Sequence, residues 1–212
     1  MGYSKLILLF GISAWLYSCN YSNANTGISK ANNALENSIE TPSDSLNYNV
    51  KADSVIKANK IPKEKISIEV SKTNYTFQLV YNNFIIKTYP CVFGLNPVDD
   101  KKMEGDRCTP EGTFKVIMKF PKHEWYKFIW FDYPNPESWK KFNERKAKGE
   151  IPADASIGGK VGIHGVGNGD NRYDNTVDER DNWTWGCIHI KNKDLDEVFE
   201  IVSVGTRITI RH

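Results

Sequence analysis

The chain has 212 residues, 40% hydrophobic and 12% aromatic, enough for one domain with its own core and not clearly for two. A formal net charge of +2 and a pI near 8.2 give no strongly basic face, which argues against a nucleic-acid partner. The body of the chain has no apolar run of the roughly 18 residues that a membrane-spanning helix needs.

Residues 1–18 read as a secretory signal: Lys5, the apolar run Leu6–Leu16, then the small residue Ser18. Leu16-Tyr17-Ser18-Cys19 resembles a bacterial lipobox, which implies lipidation at Cys19 and attachment to a membrane through the lipid. An ordinary signal peptide with an incidental cysteine is the alternative. The residue after Cys19 is Asn20, not the aspartate that such a resemblance links to inner-membrane retention. The expected place is therefore the cell envelope, on the periplasmic side of the outer membrane if the host has one. Residues 19–62 are rich in Asn, Ser, Lys, Asp and Thr; their sparse apolar residues cannot offset the entropy of ordering, which predicts a flexible linker. A weak helix around 43–60 would have little to pack on.

The folded region is expected over 63–212. Ile66, Ile68 and Val70 alternate with polar residues, as do Tyr75, Phe77, Leu79 and Tyr81, the pattern of half-buried strands. Asn82-Asn83 supplies a turn that tolerates positive φ, and 84–93 reads as the returning strand. Further strands are expected at 113–120, 159–164 and 207–210, and 185–190 begins as a turn. Asn135-Pro136 caps a helix that Gly149 ends. A second helix runs from Asn192 to Gly205, with Leu195, Val198, Phe199 and Val202 on one face. The sum is a mainly β fold with two short helices and no internal repeats.

Four cysteines occur: Cys19, Cys91, Cys108 and Cys187. Cys91 and Cys108 either pair or stay free, since spacing alone does not fix disulfide geometry. Cys187 lies in Thr184-Trp185-Gly186-Cys187-Ile188-His189. A glycine before a nucleophile permits a tight turn, and the Gly186 and Cys187 amides are candidates for an oxyanion site. A thiol needs a base or a positive environment to react at neutral pH. Of the four histidines, His212 is terminal and His123 sits in an expected loop. His189, two residues after Cys187, shares its strand face. His164 is the better base: it ends a strand and hands over to Gly165 and a glycine-rich loop. Alone, His164 would read as a structural histidine and Cys187 as a small buried hydrophobe; the glycine-flanked combination points to cysteine chemistry. No histidine cluster has metal-ligand spacing, so neither metal nor cofactor is expected.

Gly162-Ile163-His164-Gly165 followed by Thr184-Trp185-Gly186-Cys187-Ile188 resembles the catalytic signature of the L,D-transpeptidase (YkuD-type) family. Gly94-Leu95-Asn96-Pro97, Asp100-Lys101, Glu104-Gly105-Asp106, Thr109-Pro110-Glu111-Gly112 and Ile151-Pro152 resemble it too, so the likeness runs from about Ile66 to Ile210. Trp185 replaces the histidine that many members carry before Gly-Cys, and His189 replaces an Arg or Asn. These departures match a Trp-Thr-x-Gly-Cys branch and leave substrate preference open. The resemblance implies a β-sandwich-like domain and attack of Cys187 on a diaminopimelate–D-alanine bond of a peptidoglycan stem peptide. His164 takes the thiol proton, with its other ring nitrogen held by the Gly165 carbonyl. A thioester forms, a neighbouring amine resolves it into a cross-link, and a carbapenem-type β-lactam is expected to mimic the substrate. Gly186, Trp185, Thr184 and His189 would bind substrate or oxyanion. The alternatives are an L,D-carboxypeptidase or related peptide hydrolase using the same cysteine, and a non-catalytic wall-binding lipoprotein. Arg172, Asp178, Glu179 and Arg180, between the motifs, either meet the stem peptide or form a solvated loop. A monomer is expected.

Overall fold

Gln78 and Thr88 face each other across a two-residue turn at Asn82-Asn83, both at positive φ, and this hairpin begins the sheet. A computed structural model describes residues 47–167, 173 and 175–212. The signal segment, Cys19 and Arg172 lie outside the described residues. Strands β1 (Ser67–Ser71), β2 (Thr76–Tyr81) and β3 (Phe84–Pro90) form an antiparallel meander, and β8 (Arg207–Arg211) adds to β1 in parallel. Strand β4 (Gly112–His123) pairs with β8 through its first four residues and with β5 (Tyr126–Phe131) through the rest. Register shifts in β4, between Val116 and Met118 and between Phe120 and His123, separate these pairings from the hairpin end. β6 (Gly162–His164) follows β5, and β7 (Ile188–His189) closes the order β3-β2-β1-β8-β4-β5-β6-β7.

Four α-helices accompany this eight-stranded sheet among the described residues: α1 (Ala52–Ala58), α2 (Pro136–Ala147), α3 (Thr176–Glu179) and α4 (Asn192–Ile201). The fold is therefore mixed α/β, which corrects the expectation of a mainly β, sandwich-like domain with two short helices. The weak helix considered around 43–60 is present as α1 and does find a core to pack on, whereas α3 is too short to show a 3.6-residue period.

Tertiary contacts hold α1 in place. Ala52 and Ile56, with Ile61 beyond the helix, are buried in the common core, and α1 packs on β3 and α4. The Glu197 carboxylate accepts the Ala52 amide at 2.5 Å, Lys87 Nζ at 2.6 Å and the Tyr89 hydroxyl at 2.9 Å. A carboxylate at a helix N-terminus satisfies a donor that has no partner within the helix. Residues 47–62, which read as linker by composition, thus contribute a helix and three buried side chains.

Asn135 caps α2 as expected, accepting the Ser138 amide with Pro136 in the first turn. Helix α4 buries Leu195, Val198 and Phe199, each contributing about 1.5–3 kcal/mol. It ends at Ile201, short of Gly205, where Lys119 Nζ donates to the carbonyls of Phe199 and Val202.

Candidate active site

Cys187 stands on a turn that Thr184 braces from inside. The buried Thr184 hydroxyl accepts the Gly186 amide at 3.2 Å and donates to the Cys187 carbonyl at 2.7 Å. Thr184 is itself fixed to the strand-like segment 92–95, its amide donating to Phe93 O and its carbonyl accepting the Leu95 amide. Two close backbone approaches enforce glycine here. A Cβ on Gly186, at φ +127, would meet the Cys108 carbonyl at 2.7 Å, and one on Gly94 would meet the Arg107 carbonyl at 2.1 Å.

The loop 94–112 is held from within by its charged residues. Asp106 accepts Lys101 Nζ and the amides of Lys102, Met103 and Cys108. Burial pushes its pKa up, but these donors outweigh burial and the net shift is down. Asp100 similarly takes Lys141, Arg145 and the Glu111 amide. These acidic residues therefore shape the loop that backs onto the Gly186–Cys187 turn.

His164 ends β6 and is buried. Its Nδ1 donates to the Gly165 carbonyl at 2.7 Å, so Nε2 carries the lone pair. Phe128 stacks on the ring with centroids 6.1 Å apart and planes within 7°; Trp125 and Trp183 enclose it at 5.5 and 5.6 Å. Cys187 and His164 line one cavity of about 280 Å³, shared with Phe120, His123, Glu124, Trp125, Phe128, Trp130 and Lys160.

The surroundings of the Cys187 and His164 side chains favour their neutral forms. Burial pushes the Cys187 thiol up to about 11, against the pull of the Gly162 amide. Burial also pulls His164 down to about 3, despite its bond to Gly165. The thiol faces the Lys160 carbonyl at 4.0 Å, which the left-handed backbone at Lys160, φ +57, helps to aim. A resting thiolate–imidazolium pair is thus unfavourable.

The other expected site residues separate. The Gly186 amide is occupied by Thr184, leaving the Cys187 amide as the candidate oxyanion donor. Trp185 is 69% exposed, with the Arg107 guanidinium 4.7 Å over its ring. His189 is 1% exposed and does not line the cavity; its Nδ1 donates to the His164 carbonyl at 3.1 Å. Cys91 and Cys108 are buried and free, so the bridge left open by the sequence is not formed. Asp178 pairs with Lys191 at 2.5 Å, and Arg180 lies over the Tyr75 ring. Among the described residues, no group of His, Cys, Asp or Glu is arranged to hold a metal.

The strand expected at 113–120 is β4 and His123 does sit at a turn, but sequence reasoning missed the returning strand β5, whose hairpin with β4 brings His123, Glu124 and Trp125 to the cavity. His123 Nδ1 accepts the Trp125 amide, and its ring packs on Phe128 at 4.9 Å. The consecutive apolar residues Phe128–Phe131 were the available signal.

Residues 65–210 match the family model of the L,D-transpeptidase catalytic domain, YkuD. No curated protein sequence matches the chain. Among solved structures, the helical cell shape determining protein Pgp2 of Campylobacter jejuni (K307A mutant) is 21% identical with a TM-score of 0.50, covering 76% of this chain and 54% of that one. Bd1075 of Bdellovibrio bacteriovorus is 18% identical with a TM-score of 0.47, covering 69% and 48%. An L,D-transpeptidase of Mycobacterium smegmatis is 15% identical with a TM-score of 0.42, covering 70% and 59%. The chain thus spans about half the length of these proteins, and at such identities the likeness concerns the fold.

Proposed function

The chain belongs to the family of L,D-transpeptidase catalytic domains, and on that premise we propose that it transfers acyl groups of peptidoglycan stem peptides through Cys187. The observation that carries this reading is the shared cavity: Cys187 and His164 line it together, and the Gly165 carbonyl fixes Nδ1–H so that Nε2 is free to accept a proton.

In this reading the thiol attacks the carbonyl of a diaminopimelate–D-alanine bond while its proton passes to His164 Nε2. The sulfur–carbon bond forms, the carbonyl π pair moves to oxygen, and the Cys187 amide donates to the oxyanion. Collapse of that intermediate breaks the carbon–nitrogen bond. His164 returns the proton to the departing amine, leaving a thioester. An amine of a second stem then attacks; His164 takes its proton, the peptide cross-link forms and the thiol is regenerated. With water in place of the amine, the same thioester gives a carboxypeptidase product. Trp185 is exposed beside the nucleophile and is placed to meet one of the incoming chains. Lys160 and Glu124 are the charged residues of the cavity lining.

Residues 1–18 are read as the signal and Cys19 as the lipid anchor, tethering in the cell envelope a catalytic region to whose core Ala52, Ile56 and Ile61 also contribute. No helix among the described residues is long and apolar enough to cross a membrane. Incubating purified protein and Cys187→Ala with defined muropeptides tests the function. The expected products are cross-linked dimers or trimmed stems from wild type alone; equal product from Cys187→Ala would sink the reading.

A further inference from the structure

The backbone of His164 and Val166 is held by two side chains, His189 and Asn192, that the mechanism above does not use. The His164 carbonyl accepts two bonds, from the Ile190 amide at 3.2 Å and from His189 Nδ1 at 3.1 Å. The first is an ordinary contact between the neighbouring strands β6 and β7. The second comes from the buried imidazole of His189, whose backbone carbonyl and amide are also paired to Val92. The peptide plane between His164 and Gly165 is thereby fixed on its carbonyl side.

Asn192, the first residue of α4, grips the next peptide units. Its Oδ1 accepts the Val166 amide at 2.9 Å and its Nδ2 donates to the Val166 carbonyl at 3.0 Å. One side chain so reproduces both bonds that a neighbouring strand would make. The same Asn192 Oδ1 lies 2.0 Å from where a Cβ on Gly165 would stand, with Leu195 Cδ2 at 3.4 Å. Position 165 therefore has to be glycine because Asn192 occupies the space.

We propose that Asn192 and His189 are positioning residues that clamp His164-Gly165-Val166 and thereby hold the Gly165 carbonyl against His164 Nδ1. The clamp acts through the backbone. Fixing the planes on both sides of Gly165 aims its carbonyl, and that carbonyl selects the Nδ1–H tautomer. Only this tautomer leaves Nε2 able to take the Cys187 proton. A released Gly165 carbonyl permits the Nε2–H tautomer, which has no lone pair to offer the thiol. His189 thus works behind the base, away from the substrate. Asn192 ties the start of α4, and through it the core of the domain, to the catalytic strand.

The clamp rests on the reading of His164 as base, so its test has one arm that reads the clamp without turnover. Nitrogen-15 NMR of the imidazoles, with His164 assigned by the loss of its signals in His164→Gln, reports the tautomer directly. Wild type is expected to show Nδ1–H. Asn192→Asp keeps the shape and the acceptor but places a second oxygen against the Val166 carbonyl; it is expected to show mixed tautomers. Its acylation should be about 10²-fold slower, the loss typical of a misplaced reacting group, with the non-covalent affinity for substrate unchanged. His189→Asn retains an N–H donor and should stay within a few-fold of wild type, whereas His189→Leu should behave like Asn192→Asp. Thermal melts establish that each variant is folded at the assay temperature; should Asn192→Asp not be, the His189 pair decides. Retention of Nδ1–H in Asn192→Asp and His189→Leu, with acylation near the wild-type rate, would overturn the clamp. If wild type itself is never acylated, the proposed function fails, while the tautomer measurement still decides whether the clamp exists.

Discussion

The Phe128 ring fills the space that a side chain at Gly162 would need: a Cβ there would lie 2.4 Å from two ring carbons and 2.7 Å from the Ile129 carbonyl. That ring also stacks on His164, and the Gly162 amide works against the burial that raises the Cys187 thiol pKa. One glycine therefore touches the surroundings of both His164 and Cys187.

Gly162→Ala should cost about 1–3 kcal/mol by overpacking and should slow acylation by displacing Phe128 from His164. Gly159→Ala is the comparison, because its Cβ would find an ordinary contact, 3.6 Å from Pro134 Cδ. Thermal melts and acylation rates on both variants check this. Equal behaviour of the two would show that the Phe128 contact is unimportant.

Replacing the Thr184 hydroxyl should disable the nucleophile turn. Thr184→Val keeps the shape but leaves the Gly186 amide and Cys187 carbonyl without their buried partner, at a cost of about 1–3 kcal/mol. Thr184→Ser should recover most of the stability and rate, since it restores the hydroxyl. Chemical denaturation with parallel acylation assays measures both. A Thr184→Val enzyme of wild-type rate would show that the brace is dispensable.

The domain should lose stability in acid through its two buried histidines. Burial pulls His164 from 6.5 to about 3 and His189 from 6.5 to about 4. Unfolding restores proton affinity near 6.5, so between pH 6.5 and 4 the unfolded state binds more protons and stability falls as pH falls. Each unit of depression corresponds to about 1.4 kcal/mol once the pH is below both values. Asp100 and Asp106, whose pKa values lie below 3.8, act mostly lower in the scale. Melting temperature against pH should therefore slope steeply through this window in wild type and less steeply in His189→Asn. Parallel curves would contradict the assignment.

Ile56→Ala should destabilise the catalytic region, although Ile56 lies ahead of Lys63. The side chain is 4% exposed, and truncating a buried isoleucine costs about 2–5 kcal/mol. A chain starting at Lys63 would lose Ala52, Ile56 and Ile61 from the core together with the Glu197–Ala52 bond, and should melt lower than one starting at Asn47. Equal melting temperatures would show that α1 adds nothing to stability.

How much of this was legible in the sequence follows from where the physical signals lie. Strands β1 and β2 showed their alternation, Asn82-Asn83 showed its turn, and α4 showed its apolar face, because each buries one side against the core. Cys187 and His164 stood out through glycine neighbours, whose causes are now visible as close backbone approaches. The residues that were missed act through tertiary contact. The docking of α1 depends on Glu197, distant in sequence. The hairpin tip at His123–Trp125 turns without Gly or Asn, and Tyr126 takes φ +72 with no local cue. The role of His189 is set by the His164 carbonyl across the β6–β7 pair, which same-face spacing from Cys187 could not reveal.

The account stands most directly on whether Cys187 is acylated with His164 as its base. Time-resolved intact-protein mass spectrometry with a carbapenem-type β-lactam, followed by peptide mapping, measures this on wild type, Cys187→Ala, His164→Ala and His123→Gln. The account predicts a single adduct on Cys187 and none on the buried Cys91 or Cys108. It predicts acylation about 10²–10⁴-fold slower in His164→Ala and only modestly slower in His123→Gln. An adduct that survives Cys187→Ala, or a His164→Ala enzyme of wild-type rate beside an inactive His123→Gln, would contradict it.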